Sequence, residues 1–159
     1  MIFIAHRGLI TGPDLKKENK VATIDFAIKD GFDAEVDLWV LGSKLYFGHD
    51  LKDIEEISFE YISERKKNLW IHAKNSEALR FLSMLDEKED LHFFWHQEDN
   101  YTLTSKSIPW IYPGCQPMPT GITVMPELVM DINNVKNMNV KGVCSDYIGA
   151  IRKSYNCGK

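Results

Sequence analysis

The sequence predicts an α/β fold, a compact parallel barrel with several of its helices shortened or missing. Three observations carry that prediction. Short apolar runs that end on ionisable residues recur along the chain. Stretches of helical periodicity separate the early runs. With 159 residues, the chain is also too short for a full set of helices. Eight complete strand and helix units take about 250 residues, so a (β/α) barrel of the TIM type must here dispense with part of its outer layer.

The first run, Ile2-Phe3-Ile4-Ala5, leads straight into His6-Arg7-Gly8. Val21, Ile24 and Ile28 then recur at helical spacing and stop at Asp30-Gly31, where glycine suits a helix C-terminus. In Asp33-Ala34-Glu35-Val36-Asp37-Leu38-Trp39, strand alternation puts Ala34, Val36 and Leu38 on one face and the acids on the other. Gly42-Ser43 predicts a hairpin that returns from Trp39 through Tyr46 and Phe47 to His49. Residues 53–66 read as helical in parts, with Ile54, Ile57, Tyr61 and Ile62 apolar. Leu69, Ile71 and Ala73 form the next strand face, opposite Trp70, His72 and Lys74. Ala78, Phe81, Leu82 and Leu85 make a second helical stripe that packs against the core. Asn75 or Ser76 caps it, and the charged run from Asp86 to Asp90 closes it.

After residue 90 the rhythm shortens. Apolar runs at Phe93-Phe94-Trp95, Ile108-Pro109-Trp110-Ile111-Tyr112 and Ile122-Thr123-Val124-Met125 are separated by pieces too short for full helices. Residues 113–121 hold three prolines and two glycines and read as a loop between strands. Residues 142–147 form the last strand and residues 148–154 a brief closing helix. No repeat, low-complexity segment or linker interrupts the chain, so residues 1–159 are expected to be a single domain.

Composition narrows the functional classes. A net charge of -4 without a basic cluster argues against a nucleic-acid partner. No apolar stretch approaches a membrane span. The sequence opens directly on the strand that supplies His6, which leaves no room for a signal peptide and makes the cytoplasm the expected compartment. Cys115, Cys144 and Cys157 are odd in number and lack a metal-type spacing, as expected of reduced thiols. The oligomeric state is left open.

The chemistry lies at the strand ends. A half-buried strand normally sends its charges to water, so Glu35 and Asp37 taken alone read as a solvated edge. That reading weakens because His72 and Lys74 repeat the pattern, and because His6 and His49 each close a short apolar segment before a turn. In a parallel barrel, functional groups collect at the C-terminal strand ends, so these coincidences favour one shared pocket.

With these residues in view, the chain resembles the glycerophosphodiester phosphodiesterases. That family's signature is an opening His-Arg-Gly, a Glu-Asn pair, a Glu-x-Asp strand and a Gly-His-Asp turn. Here they read His6-Arg7-Gly8, Glu18-Asn19, Glu35-Val36-Asp37 and Gly48-His49-Asp50, in the same order. The resemblance is strong over residues 1 to about 75 and reappears at Gly142-Val143-Cys144-Ser145-Asp146, similar to the family's final strand. Two departures stand out. The family's Pro-Glu-Asn-Thr is Lys17-Glu18-Asn19-Lys20, and its Glu-x-Lys third strand is His72-Ala73-Lys74.

The resemblance implies a metal-dependent phosphodiesterase acting on a small glycerophosphodiester or sugar-phosphate ester. It makes His6 and His49 the acid-base pair, histidine titrating near neutral pH. The attacking group would be a neighbouring substrate hydroxyl, giving a cyclic phosphate first. Glu35, Asp37 and His72 would hold one divalent ion (Mg, Mn or Ca), while Arg7 and Lys74 contact the phosphate. Histidine at position 72 removes a negative charge and adds a nitrogen donor, which predicts weaker calcium binding and a relative preference for magnesium, manganese or a later transition metal. Glu18 is a supporting residue, and His96 is either a substrate contact or a surface group. Trp70 and Trp110 are either apolar walls or core. Glu127 reads as a solvated loop acid. Asp146 is expected to hydrogen-bond site residues from behind, and His92 to lie on the face away from the chemistry. Two alternatives stay open: phosphomonoester hydrolysis or a cyclising lyase step on the same site, and a binding module that holds a phosphorylated ligand without turnover.

Overall fold

The structure, a computed structural model, describes residues 1–86 and 89–157. Its strands are β1 (Ile2–Ala5), β2 (Asp33–Leu41), β3 (Lys44–Phe47), β4 (Glu55–Ile57), β5 (Leu69–Ala73), β6 (His92–Trp95), β7 (Tyr101–Leu103), β8 (Pro109–Ile111), β9 (Ile122–Val124) and β10 (Gly142–Ser145). The helices are α1 (Val21–Lys29), α2 (Phe59–Glu64), α3 (Ser76–Ser83) and α4 (Ile148–Cys157).

Parallel pairing runs β8, β9, β10, β1, β2, β5, β6. Antiparallel strands extend it: β3 and β4 peel away from the far end of β2, and β7 lies along β8. The sheet curls into a half-barrel. No ladder joins β6 to β7 among the described residues, and the seam is bridged by single bonds. The Thr102 hydroxyl donates to the Trp95 carbonyl at 2.9 Å, and the Ser105 amide donates to the Phe93 carbonyl at 2.7 Å.

Both faces of β2 are buried, which removes the solvated-edge reading of its acids. Ala34, Val36 and Leu38 pack outward with Ile24 of α1 and with Ala78 and Leu82 of α3. Glu35 and Asp37 face inward at 3% and 1% exposure. A parallel strand covered on both sides has no wet face, so its polar residues must find partners inside. A separate interior cluster joins Ile4, Trp70, Phe94, Trp110, Ile122 and Val124, so Trp70 is a core side chain, while Trp110 both packs in this cluster and forms part of an apolar cleft wall. A third apolar group lies beneath α4, where Ile148 and Ile151 meet Val143, Phe32 and Ala27.

The expected helices α1 and α3 form, and the Asn75 side chain caps α3 by accepting from the Ala78 amide at 3.0 Å. Glu87 and Lys88 of the charged run after α3 lie outside the described residues. The expected hairpin through Gly42 forms, with Leu38 opposite Phe47. Residues 53–66 depart from the helical expectation. Ile57 pairs with Leu45, which makes the first part β4, and helix starts only where the Ser58 hydroxyl caps the Tyr61 amide at 3.2 Å. The last strand stops at Ser145, which leaves Asp146 in the following turn, and α4 continues to Cys157. Strand β7 was not foreseen, being three residues with little alternation. The missing outer helices are replaced by the loop between β8 and β9 and by 3₁₀ turns (Pro126–Leu128 and Ile132–Asn137) before β10. Among the described residues, no helix is long and apolar enough to cross a membrane.

His92 differs from expectation. It lies on the same inward face as Phe94 but at the far end of the strand, its ring 3.8 Å from that of Trp70 and its Nε2 2.7 Å from the Thr104 hydroxyl. Burial, with help from Lys106, pushes this imidazole down to about 4. Between about pH 6.5 and that value the unfolded chain holds the proton and the folded chain does not, so stability falls as pH drops through this window. Urea unfolding at pH 7 and pH 4.5 should show a loss for the parent larger than that for His92→Gln by on the order of 2 kcal/mol. Equal losses would refute the assignment.

Candidate functional site

The ends of β1, β2, β5 and β10 build one side of the site. β1 runs into a tight 3₁₀ turn, His6–Gly8, in which Arg7 and Gly8 adopt left-handed φ values of 50° and 80°. A Cβ on Gly8 would stand 3.1 Å from the backbone nitrogen of Ile24, so the turn can press against α1 only with glycine. The turn aims the Arg7 amide at Glu35, to whose Oε2 it donates at 3.0 Å.

His6 is held from behind. Ala5 is paired with Ser145, which sets the next residues side by side, and His6 Nδ1 lies 2.8 Å from Asp146 Oδ1. Burial alone lowers this imidazole's proton affinity, but the Asp146 hydrogen bond and the Glu35 charge outweigh it, and the net direction is up. Asp146 is fixed in turn by Glu127. The Glu127 Oε1 accepts from the Ser145 hydroxyl at 2.8 Å and from the Asp146 amide at 3.3 Å. Glu127 is therefore a partly buried buttress of this turn rather than a solvated loop acid.

Asp37 is the centre of the site. Its Oδ1 takes His72 Nδ1 at 2.9 Å and Lys74 Nζ at 3.6 Å. Its Oδ2 takes the Asn19 side-chain amide at 2.9 Å, with Arg7 Nε and His49 Nδ1 each at 3.3 Å. Burial would raise this carboxyl, but the hydrogen bonds from His49 and His72 and the Lys74 charge hold it well below the usual carboxylate range. Glu35 shows the opposite balance. Burial and the adjacent Asp37 charge push it up, and His6, His72 and Arg7 only partly oppose them.

The pairing of Asp37 with His72 across β2 and β5 sets the third group in place. His72 Nε2 faces the His96 carbonyl oxygen at 3.0 Å, and a carbonyl can only accept, so Nε2 carries a proton. Nδ1 is thereby directed at the acids. Ligand atoms of Glu35, Asp37 and His72 lie within 4.8 Å of one another. This donor set fits a divalent cation that takes the place of the His72 Nδ1 proton now shared with Asp37: two buried carboxylates repel each other, and the imidazole has its second nitrogen anchored to a backbone carbonyl, as metal-binding histidines do.

His6, Arg7, Glu35, Asp37, His49, His72, Lys74 and His96 all line one cleft of about 560 Å³. Glu18 does not line it; its carboxylate holds Arg7 Nη1 at 2.9 Å from outside. His49 sits at the mouth, its side chain 38% exposed, with Nε2 3.4 Å from Arg7 Nη2. Sequence reasoning missed Asn19 as a site residue. It is fully buried in a left-handed conformation (φ 58°), and its Oδ1 accepts from the Asp37 amide at 2.8 Å while its Nδ2 donates to the carboxylate. The signal that could have found it was its place beside Glu18, since asparagine tolerates the left-handed region and offers both a donor and an acceptor.

The molecule thus belongs to the class of curled, mainly parallel α/β sheets with a charged cleft at the C-terminal strand ends. Two solved structures share this fold. A glycerophosphodiester phosphodiesterase from Parabacteroides distasonis ATCC 8503 superimposes with a TM-score of 0.58 at 11% identity, over 99% of this chain and 99% of that one. A glycerophosphoryl diester phosphodiesterase from the same organism gives 0.53 at 10% identity, over 99% of this chain and 87% of that one. No protein-family model and no curated protein matches the sequence.

Replacing Asn19 by alanine leaves the buried Asp37 amide without its acceptor and the carboxylate without a neutral donor. Asn19→Ala should lose roughly 1–3 kcal/mol in urea unfolding. A change below about 0.5 kcal/mol would show that water substitutes freely for the asparagine.

Proposed function

We propose that the protein is a phosphodiesterase, a single compact (β/α) barrel domain that hydrolyses a small phosphodiester of the glycerophosphodiester or sugar-phosphate type. The observation that carries this reading is the matched pair of histidines. Each is held through Nδ1 by a carboxylate, His6 by Asp146 and His49 by Asp37, which leaves the Nε2 of His6 for the cleft and sets that of His49 at its mouth beside Arg7 Nη2. The shared fold of the two Parabacteroides phosphodiesterases supports the same conclusion.

A phosphodiester carries a negative charge that repels nucleophiles, and the site must offset it, activate an oxygen and protonate a departing alkoxide. Arg7 and Lys74 supply positive charge beside the acids. The planar Arg7 guanidinium is already oriented by Glu18 and Asp37, so little ordering remains when phosphate arrives. Glu35, Asp37 and His72 would hold one divalent ion, which when bound supplies Lewis acidity to a phosphoryl oxygen. One histidine takes the proton of a neighbouring substrate hydroxyl as its oxygen bonds to phosphorus. The other gives a proton to the alcohol as the P–O bond breaks. Water then opens the cyclic phosphate with the two roles exchanged.

One observation favours a ligand-binding module instead: both Asp37 oxygens are already engaged by protein donors. Turnover separates the readings. Chelator-treated protein with ions added back singly should hydrolyse a glycerophosphodiester, which carries the neighbouring hydroxyl that bis(p-nitrophenyl) phosphate lacks. His6→Ala and His49→Ala should each lower kcat about 100-fold or more. Absence of turnover with every ion would overturn the enzyme reading. Magnesium, manganese or a later transition metal should restore more activity than calcium, and best activity with calcium would overturn the role given to His72.

A further inference from the structure

We infer that the half of the cleft built by β6, β8 and β9 is a subsite for the second alcohol of the diester, and that this alcohol carries an apolar alkyl or aryl group. The inference rests on the phosphodiesterase reading and extends it to a substrate class. The cleft divides by strand. Every group contributed by β1, β2 and β5 is ionisable, whereas the opposite wall consists of Phe94, Trp110, Tyr112, Val124 and Leu128, with His96 at the boundary. The division follows from alternation, since Phe94 and His96 share the inward side of β6 and its extension, and Trp110 and Tyr112 that of β8.

The aromatic wall is continuous. Phe94 stacks on His72 at 5.1 Å and meets Trp110 at 4.5 Å, while His96 and Tyr112 are 5.1 Å apart. The apolar surface carries on to the rim, where Tyr112 is 48% and Leu128 is 63% exposed beside exposed Val129. A phosphate with a glycerol unit fills only the charged end of a cleft of about 560 Å³, a volume in the range of sites for larger ligands.

The wall also selects against polar alcohols. Beyond His96 and Gln97, its side-chain hydrogen-bonding groups among the described residues are the Tyr112 hydroxyl and the single indole N–H donors of Trp95 and Trp110, too few for the several hydroxyls of a sugar. A sugar there would bury several hydroxyls, each unpaired one weakening binding roughly 5- to 150-fold. An ammonium group would meet no carboxylate at that end, since the nearby Asp99 is mostly exposed and does not line the cleft. Both ring nitrogens of His96 are buried without a hydrogen-bond partner, Nδ1 being 4.0 Å from Asp99 Oδ2, so Nε2 remains as a polar contact for the ester oxygen where the two halves meet.

The test uses glycerol phosphodiesters of methanol, butanol and octanol below their micellar concentrations. The ratio kcat/KM should rise roughly two- to fourfold per added methylene until the wall is covered, and Leu128→Gln should flatten that slope. Glycerophosphocholine should be no better than its uncharged 3,3-dimethylbutyl isostere, and a tenfold preference for choline would overturn the inference in favour of a cation site. Calorimetric titration with methyl-, butyl- and octylphosphonate gives a readout independent of turnover. Tighter binding with chain length supports the subsite even if no ester is hydrolysed, in which case only the hydrolytic reading falls. Hydrolysis with no chain-length dependence, or no binding of any phosphonate, overturns the subsite.

Discussion

The buried carboxylate of Asp37 is the constraint on which the rest of the site depends. An unpaired charge in the interior would be costly enough to change its protonation state or destabilise the fold. The chain meets this demand from separate places: Arg7 and Asn19 after β1, His49 after the hairpin, and His72 and Lys74 at the end of β5. Each donor fixes a different connection. The network therefore ties the turn after β1, the β2–β3 hairpin and the parallel β2–β5 pair to one point, so the geometry of the cleft and the integrity of this half of the sheet are not separable.

Glu35, two residues earlier on the same strand, shows what the same burial does with fewer partners. It accepts the Arg7 amide and is otherwise dominated by desolvation and by the repulsion of Asp37, so its proton affinity rises where that of its neighbour falls. Two like groups on one strand face are thus driven apart electrostatically. Such divergence is a mark of a site arranged for chemistry or cation binding rather than for stability alone. Glu127 and Asp146 extend the logic to His6: the Glu127 carboxylate accepts from the Ser145 hydroxyl and the Asp146 amide, and the turn so fixed lets the Asp146 carboxylate orient the imidazole.

The shortened second half of the sheet has its own consequence. Without full helices after β8 and β9, the segments that follow those strands are loops and 3₁₀ turns: Tyr112, Met125 and Leu128 line the cleft, while Ile132 and Val135 pack with the cluster beneath α4. The same economy leaves β6 and β7 joined by isolated hydrogen bonds rather than a ladder. Charge collects on the side with complete strand and helix units, and aromatic surface on the side without them.

By itself the sequence determined the placing of Glu35 and Asp37 on one strand face, the helices α1 and α3 and the hairpin at Gly42. Each of these is set by local periodicity or turn chemistry over a few residues. It also marked His6, His49, His72 and Lys74, because strand ends are visible where an apolar run meets a polar residue. Only the tertiary structure decided that β2 has no wet face, that Ile57 pairs as a strand before α2 begins, and that His92 shares the interior with His72. It alone also decided that Asn19 and Glu127 support the site through partners 18 and 19 residues away. Those outcomes depend on which segments become neighbours when the sheet curls, and no local pattern carries that information.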